Sequence, residues 1–143
     1  MSQVYNGDFI EYRRQLRDWI LESPNIGGEL QLDLVRENAV DRTRPLRGNP
    51  SIIIDTRYSI SEFTDPKIPK ESRGLYVCLE DITVLASYQK KGRFKRIRKD
   101  IESIIKNFKT PYKGFAVCSV GNPQLREHLK KQKFIQINTD WIS

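Results

Sequence analysis

The stretch Val84-Leu85-Ala86-Ser87-Tyr88-Gln89-Lys90-Lys91-Gly92-Arg93-Phe94 constrains this chain more than any other, because an apolar run stops in it and a basic helix begins. Beyond the glycine, Phe94, Ile97, Ile101, Ile104, Ile105 and Phe108 recur at steps of three and four, so one face of the helix is apolar and its start lies at solvent. Ahead of it, Ile82 and Val84 alternate as strand residues do. A strand that turns over a glycine into a helix aims several free backbone N–H groups at one point, with the helix dipole behind them. That point suits a phosphate.

At 143 residues and 16.8 kDa the chain can bury one core and is too short for two ordinary ones, so a single domain over residues 1–143 is expected. No run of roughly eighteen apolar residues occurs, which leaves no membrane span. The charges at Asp8, Glu11, Arg13, Arg14, Arg17 and Asp18 leave no secretory signal, so the expected setting is cytoplasmic or inside a particle. Cys78 and Cys118 both sit in apolar strand-like runs without the spacing of a metal site or redox pair. They read as buried thiols, and no metal is expected.

The net charge of +7 is unevenly spread. Residues 89–113 hold ten basic side chains against Asp100 and Glu102, a local charge of +8, so the rest of the chain carries −1. Such a focused field attracts a polyanion, either a nucleotide cofactor or a nucleic acid.

Along the chain, Asp8 is a candidate N-cap and Phe9, Tyr12, Leu16, Trp19 and Ile20 repeat at helical spacing. Gln3-Val4-Tyr5 is barely enough for a strand before that helix. Residues 29–50 mix leucines with many charges and end in a loop, with no element assigned. Ser51–Asp55 and Tyr58–Phe63 read as a short strand pair or one bent strand, and Thr64–Glu71, with two prolines, as a surface loop. Leu75–Leu85 reads as the longest strand and as a central one. Thr110-Pro111 stops the basic helix, and a strand over 115–120 and a helix led by Asn122 follow.

Gln89-x-x-Gly92-x-Phe94 resembles the Gln/Arg-x-x-Gly-x-Gly/Ala motif of the Gcn5-related N-acetyltransferase (GNAT) superfamily, which lies between the fourth strand and third helix of that fold. A second block, from Phe115 through Asn122 to Phe134-Ile135, resembles the family's Asn-x-x-Ala helix and the Gly-Phe that ends it. The two blocks cover residues 75–138. A narrower resemblance, to GNAT-like proteins carried in tailed-phage particles, rests on Lys91-x-Arg93-Phe94-x-Arg96 and Val120-Gly121-Asn122.

The resemblance implies an α/β (α+β) fold with a mixed central sheet, splayed at the cofactor site and flanked by helices. Residues 75–85 and 114–120 would be parallel neighbours that part at one end, with the 92–108 helix across them. A seventh strand would be absent or very short. It further implies acetyl-coenzyme A as acyl donor and an amine as acceptor. Amides of Ile82 and Val84 would meet the pantetheine and the thioester carbonyl. Those of Lys90, Lys91, Gly92, Arg93 and Phe94, in the motif that Gln89 opens, would meet the pyrophosphate, and Asn122 would orient the pantetheine arm. Glu80 is the candidate base, expected to share a face with Cys78, Ile82 and Val84 while Asp81 points to the other.

This chain departs from the family pattern at three places: Phe94 at the second small position of the turn, Lys133 at the usual glycine, and Leu129 where a tyrosine protonates the leaving thiolate. His128, one residue and so about 100° away, is a poor substitute for that tyrosine. Three readings stand: an acyl-coenzyme A-dependent N-acyltransferase, a catalytically silent GNAT-like structural or interaction protein, with protein partners in a phage particle, and a nucleic-acid binder working through the basic helix.

Overall fold

The computed structural model describes residues 2–7, 9–22, 28–35, 52–84 and 92–143. The described elements run β1 (Ser2–Gly7), α1 (Phe9–Glu22), β2 (Glu29–Val35), β3 (Ile52–Phe63), β4 (Gly74–Val84), α2 (Arg93–Asn107), β5 (Tyr112–Val117), α3 (Pro123–Lys131), β6 (Ile135–Ile137) and β7 (Asp140–Ile142). They build one mixed sheet in the order β1-β2-β3-β4-β5-β7-β6, with β4 at its centre. The pairs β1–β2 and β4–β5 are parallel, and the other four are antiparallel. The expected parallel neighbours are therefore present, and the seventh strand exists at three residues.

Two faces of the sheet bury two separate cores. Tyr12, Leu16, Trp19 and Ile20 of α1 and Ile97 and Ile101 of α2 pack with Leu30, Leu32, Tyr58, Ile60, Val77, Leu79 and Phe115 on one face. Burying side chains of this size stabilises by roughly 1.5–3 kcal/mol each. On the other face Phe63, Tyr76, Cys78, Ala116, Cys118, Ile137 and Ile142 gather with Ile68, carried by the 64–73 loop. Arg73 Nε donates to the Ile68 carbonyl at 3.0 Å and Tyr76 Oη to that of Ser72 at 2.5 Å, which pins the loop down.

Inside the larger core the Tyr12 hydroxyl meets Tyr58 Oη at 2.6 Å and Thr56 Oγ1 at 2.7 Å, and Thr56 Oγ1 donates to the Leu32 carbonyl at 2.6 Å. This chain ties α1 to β3 and β2, and burial pushes both phenols well up, so they stay neutral donors. Tyr112 Oη donates to the Ile20 carbonyl at 3.1 Å, holding the end of α1 to β5.

Three readings of the sequence are corrected. Residues 29–35, assigned no element, form β2, with Leu30, Leu32 and Leu34 buried at period two. Residues 52–63 form one twelve-residue strand, longer than the eleven of β4, so β4 is central without being the longest. The third correction, at Glu80, belongs to the site. The proposed N-cap Asp8 and the 36–50 loop lie outside the described residues. Among the described residues no helix is long and apolar enough to cross a membrane.

Candidate functional site

The β4–β5 ladder runs from Leu75 opposite Tyr112 to Leu79 opposite Val117, and its last bond is from Cys118 N to the Leu79 carbonyl at 3.0 Å. Beyond that rung β4 continues to Val84, paired with β3 alone among the described strands. Val117 meanwhile pairs with Trp141 of β7 on its far side. The two parallel central strands therefore part beyond Leu79, and no described strand fills the gap between them.

The parting coincides with a β-bulge. Arg57 lies opposite Asp81, and the next residue, Tyr58, lies opposite Leu79, so Glu80 is the extra residue in β4. A bulge resets the alternation, and that corrects the expected faces. Ile82 and Val84 join Val77 and Leu79 on the helix-covered face, whereas Cys78 lies in the opposite core. Glu80 accepts a hydrogen bond from Ser59 Oγ at 2.5 Å, and Ser59 is paired with Cys78. Asp81 shares the face of its partner Arg57, two residues from Ser59, so Glu80 and Asp81 lie on the same side and not on opposite ones.

Helix α2, in the crossover between these two strands, opens at Gly92, whose φ of +70° and ψ of 23° place it in the left-handed region. Arg96 N donates to the Gly92 carbonyl at 3.0 Å, the first bond of the helix, and no side chain caps it. The N–H groups of Arg93, Phe94 and Lys95 precede that bond and lack an intrahelical acceptor. A Cβ built on Gly92 meets nothing within 4 Å among the described residues. Phe94 stands at the second small position, and its ring turns inward, 6.0 Å from that of Phe115 and edge-on to His128 at 5.6 Å. Gln89, Lys90 and Lys91 lie outside the described residues.

Helix α3 is capped at both ends by rules visible in its sequence. Asn122 Oδ1 accepts from Gln124 N at 2.8 Å and Leu125 N at 3.2 Å, with Pro123 as the first helical residue. That oxygen is thus engaged in the cap, and the Asn122 amide nitrogen is what remains to reach a ligand. At the other end Lys133 N donates to the Lys130 carbonyl at 3.0 Å and Phe134 N to that of Leu129 at 3.1 Å, the paired bonds of a Schellman motif. Such a motif needs a left-handed residue, and Lys133 supplies it at φ 63°, where the family has glycine. Leu129 and Phe134 close it with a contact in the larger core.

Leu129 is fully buried there, so its side chain faces the core and not a reacting group. His128 is half-buried against Phe94. The cysteines are buried, and the Cys118 thiol is pushed far up by its hydrogen bond with Cys78 and by burial, so it offers no thiolate at neutral pH. Sequence reasoning missed Trp141, whose buried indole N–H, opposite the last rung of β5, has no partner among the described residues. Only the pairing register, which the sequence does not print, brings it there. No cluster of metal-ligating side chains occurs among the described residues.

A parted pair of parallel central strands, a bulge at the parting and an uncapped glycine start to the helix that joins them lie at the centre of a fold that, as a whole, resembles three solved structures. AtaT complexed with acetyl-methionyl-tRNAfMet superposes with a TM-score of 0.52 at 14% identity over 71% of this chain and 66% of that one. The KacTA–DNA complex does so with a TM-score of 0.56 at 15% identity, covering 91% and 79% of the two chains. AtaTR bound with acetyl-coenzyme A gives a TM-score of 0.54 at 15% identity over 91% and 73%.

This chain has the GNAT fold. In the GNAT-fold order β1 and α1 come first, β4 is the central strand, α2 the helix that follows it, β5 its parallel partner and α3 the Asn-led helix. The chain spans just under two thirds of AtaT in its complex with acetyl-methionyl-tRNAfMet. No protein-family model matches the sequence, and no curated protein does.

Proposed function

We propose that the chain is an acyl-coenzyme A-dependent N-acyltransferase, with acetyl-coenzyme A as donor and an amine as acceptor. The observation that carries this reading is the uncapped, glycine-led start of α2 in the crossover between two parallel strands that part beyond Leu79 and Val117. AtaTR, one of the similar structures, is bound with acetyl-coenzyme A, which supports the same donor here.

The residues present fit such a donor. Backbone N–H groups of Arg93, Phe94 and Lys95 converge where a pyrophosphate would sit, and an anion at a helix N-terminus gains roughly 0.3–2 kcal/mol. Lys90, Lys91 and the Gly92 amide extend that turn in sequence. The edge of β4 beyond Leu79, where no described strand pairs on the β5 side, offers main-chain groups such as those of Ile82, along which the extended pantetheine arm would lie. Asn122 would hold the arm through its amide nitrogen, its oxygen being engaged in the cap.

Acetyl-coenzyme A supplies an activated acyl carbon, at which a C–N bond to the acceptor forms as the C–S bond breaks. Glu80 takes the proton that the amine loses. Its carboxylate is held by Ser59 at the bulge, one residue beyond the last β4–β5 pair, which places it where the strands part. Asp81 on the same face adds a second carboxylate, and together they favour a cationic amine over an anionic acceptor. With Leu129 in the core, no tyrosine protonates the thiolate from that position, and the leaving group takes its proton from water.

The test is a labelled-acetyl transfer assay over an amine panel with the natural chain and Glu80→Gln. The variant is expected to keep its affinity for acetyl-coenzyme A and to lose about 10²- to 10⁴-fold in turnover, the usual contribution of a general base. Equal turnover by the two proteins would remove Glu80 from the mechanism.

A further inference from the structure

Charge is segregated along this chain: residues 92–143 sum to +8 and residues 1–91 to −1. On α2 the segregation sharpens. Its two acids are both engaged, Asp100 with Arg13 of α1 at 3.3 Å and Glu102, which stands in the same helical stripe as Lys99 and Lys106, with Arg98. Lys95, Lys99 and Lys106 are exposed and make no ion pair among the described residues. A cavity of about 560 Å³ runs beside the last two turns of α2, where Lys99, Ser103, Lys106 and Asn107 face Lys113 at the start of β5. Glu102 also lines it, with its charge already met by Arg98.

The acyl donor does not account for this row. From the start of α2 to Lys106 is thirteen residues, about 20 Å at 1.5 Å each. That is more than two Debye lengths at physiological salt, so Lys106 and Lys113 contribute almost nothing to an anion held at the helix start. Alpha-helix α1 does not extend the row either, because Arg14 and Arg17 are met by Glu11 and Asp18.

We propose that the outward face of α2, with the groove between its C-terminal half and Lys113, docks the phosphate backbone of a double-helical nucleic acid. A lysine row about 16 Å long, from Lys95 to Lys106, matches about five nucleotides of one strand at 3.4 Å each. Lysine heads are point charges that meet phosphates without reading bases. Binding to single strands needs successive bases stacked on aromatic rings, and the row offers no such series: Phe94 is turned into the core, and the one exposed aromatic of this segment, Phe108, stands past the end of α2. The surface therefore fits a duplex backbone and is indifferent to its sequence.

The experiment is fluorescence anisotropy of the full chain with a labelled 20-base-pair DNA duplex, an RNA duplex of the same length and oligo(dT), between 50 and 200 mM salt. If Lys99, Lys106 and Lys113 each displace one counterion, affinity for DNA should fall about 40-fold over that fourfold change in salt. The variant Lys99→Ala/Lys106→Ala/Lys113→Ala should lose most of this dependence, and shuffling the duplex sequence should change nothing. The same variant should bind acetyl-coenzyme A as the natural chain does, which separates this proposal from the donor site. Absence of duplex binding at 50 mM salt, an unchanged salt slope in the triple variant, or tighter binding of oligo(dT) than of either duplex would each overturn it.

Discussion

Gly92 carries two separable burdens, and substitutions there can tell them apart. Its φ of +70° costs an ordinary L residue about 1–2 kcal/mol. The described residues around it add nothing to that cost, since a Cβ would touch none of their atoms within 4 Å. Gly92→Ala also stiffens the unfolded chain, which offsets about 0.4–1 kcal/mol, so a net loss near 1 kcal/mol is expected. With a denaturant slope of about 2 kcal/mol per molar, the urea midpoint should fall by about half a molar.

Asparagine tolerates the left-handed region, so Gly92→Asn should keep most of the stability. Its side chain nevertheless adds bulk beside the Arg93, Phe94 and Lys95 amides, and if these hold the pyrophosphate, calorimetry should show acetyl-coenzyme A binding weakened tenfold or more. An unchanged midpoint in the alanine variant would refute the left-handed helix start. Unchanged affinity in a folded asparagine variant would place the nucleotide elsewhere.

Other outcomes follow from the caps and the core. Lys133→Gly relieves the left-handed residue of the Schellman motif and should stabilise by about 0.5–1 kcal/mol, seen as a melting temperature raised by about 2–4 °C. Leu129→Tyr, which a family-based reading would expect to restore an acid, should instead overpack the core at a cost of about 1–3 kcal/mol and leave turnover no faster. A gain in turnover without loss of stability would show that residue 129 reaches the reacting atoms. The Arg14 guanidinium beside Glu11 lowers that carboxyl from 4.5 to about 2, so its stabilising contribution is complete above pH 4.5 and fades as pH falls towards 2. Arg14→Ala should flatten the stability profile across that window in acid titrations followed by circular dichroism.

What could be read from the residues alone divides along a physical line. Features fixed by local chemistry were legible: the apolar stripe of α2, the glycine that opens it, and the Asn122-Pro123 start of α3. So was the parallel pairing around α2, because a strand, helix and strand in succession favour a crossover. Features set by register were not. One extra residue at Glu80 moved Ile82 and Val84 to the face opposite the one that simple alternation gives, and only the pairing with Arg57 and Tyr58 shows it. The same holds for Leu129 and Trp141, whose burial depends on how α3 and β7 seat against β5. Strand β2 is a different case. Its Glu-Leu-Gln-Leu-Asp-Leu-Val pattern alternates plainly, and the charges between the leucines, which sit on the far side of a strand, disguised it.

The central claim is that the acyl donor lies in the gap between β4 and β5 with its pyrophosphate on the start of α2. Backbone hydrogen exchange, measured with and without saturating acetyl-coenzyme A, tests this most directly because it reads the donor groups themselves. Added acetyl-coenzyme A should slow exchange at Arg93, Phe94 and Lys95 and along residues 80–84, while α1 and the 64–73 loop stay unchanged. Protection confined to other segments, or no change anywhere at millimolar acetyl-coenzyme A, would contradict the account.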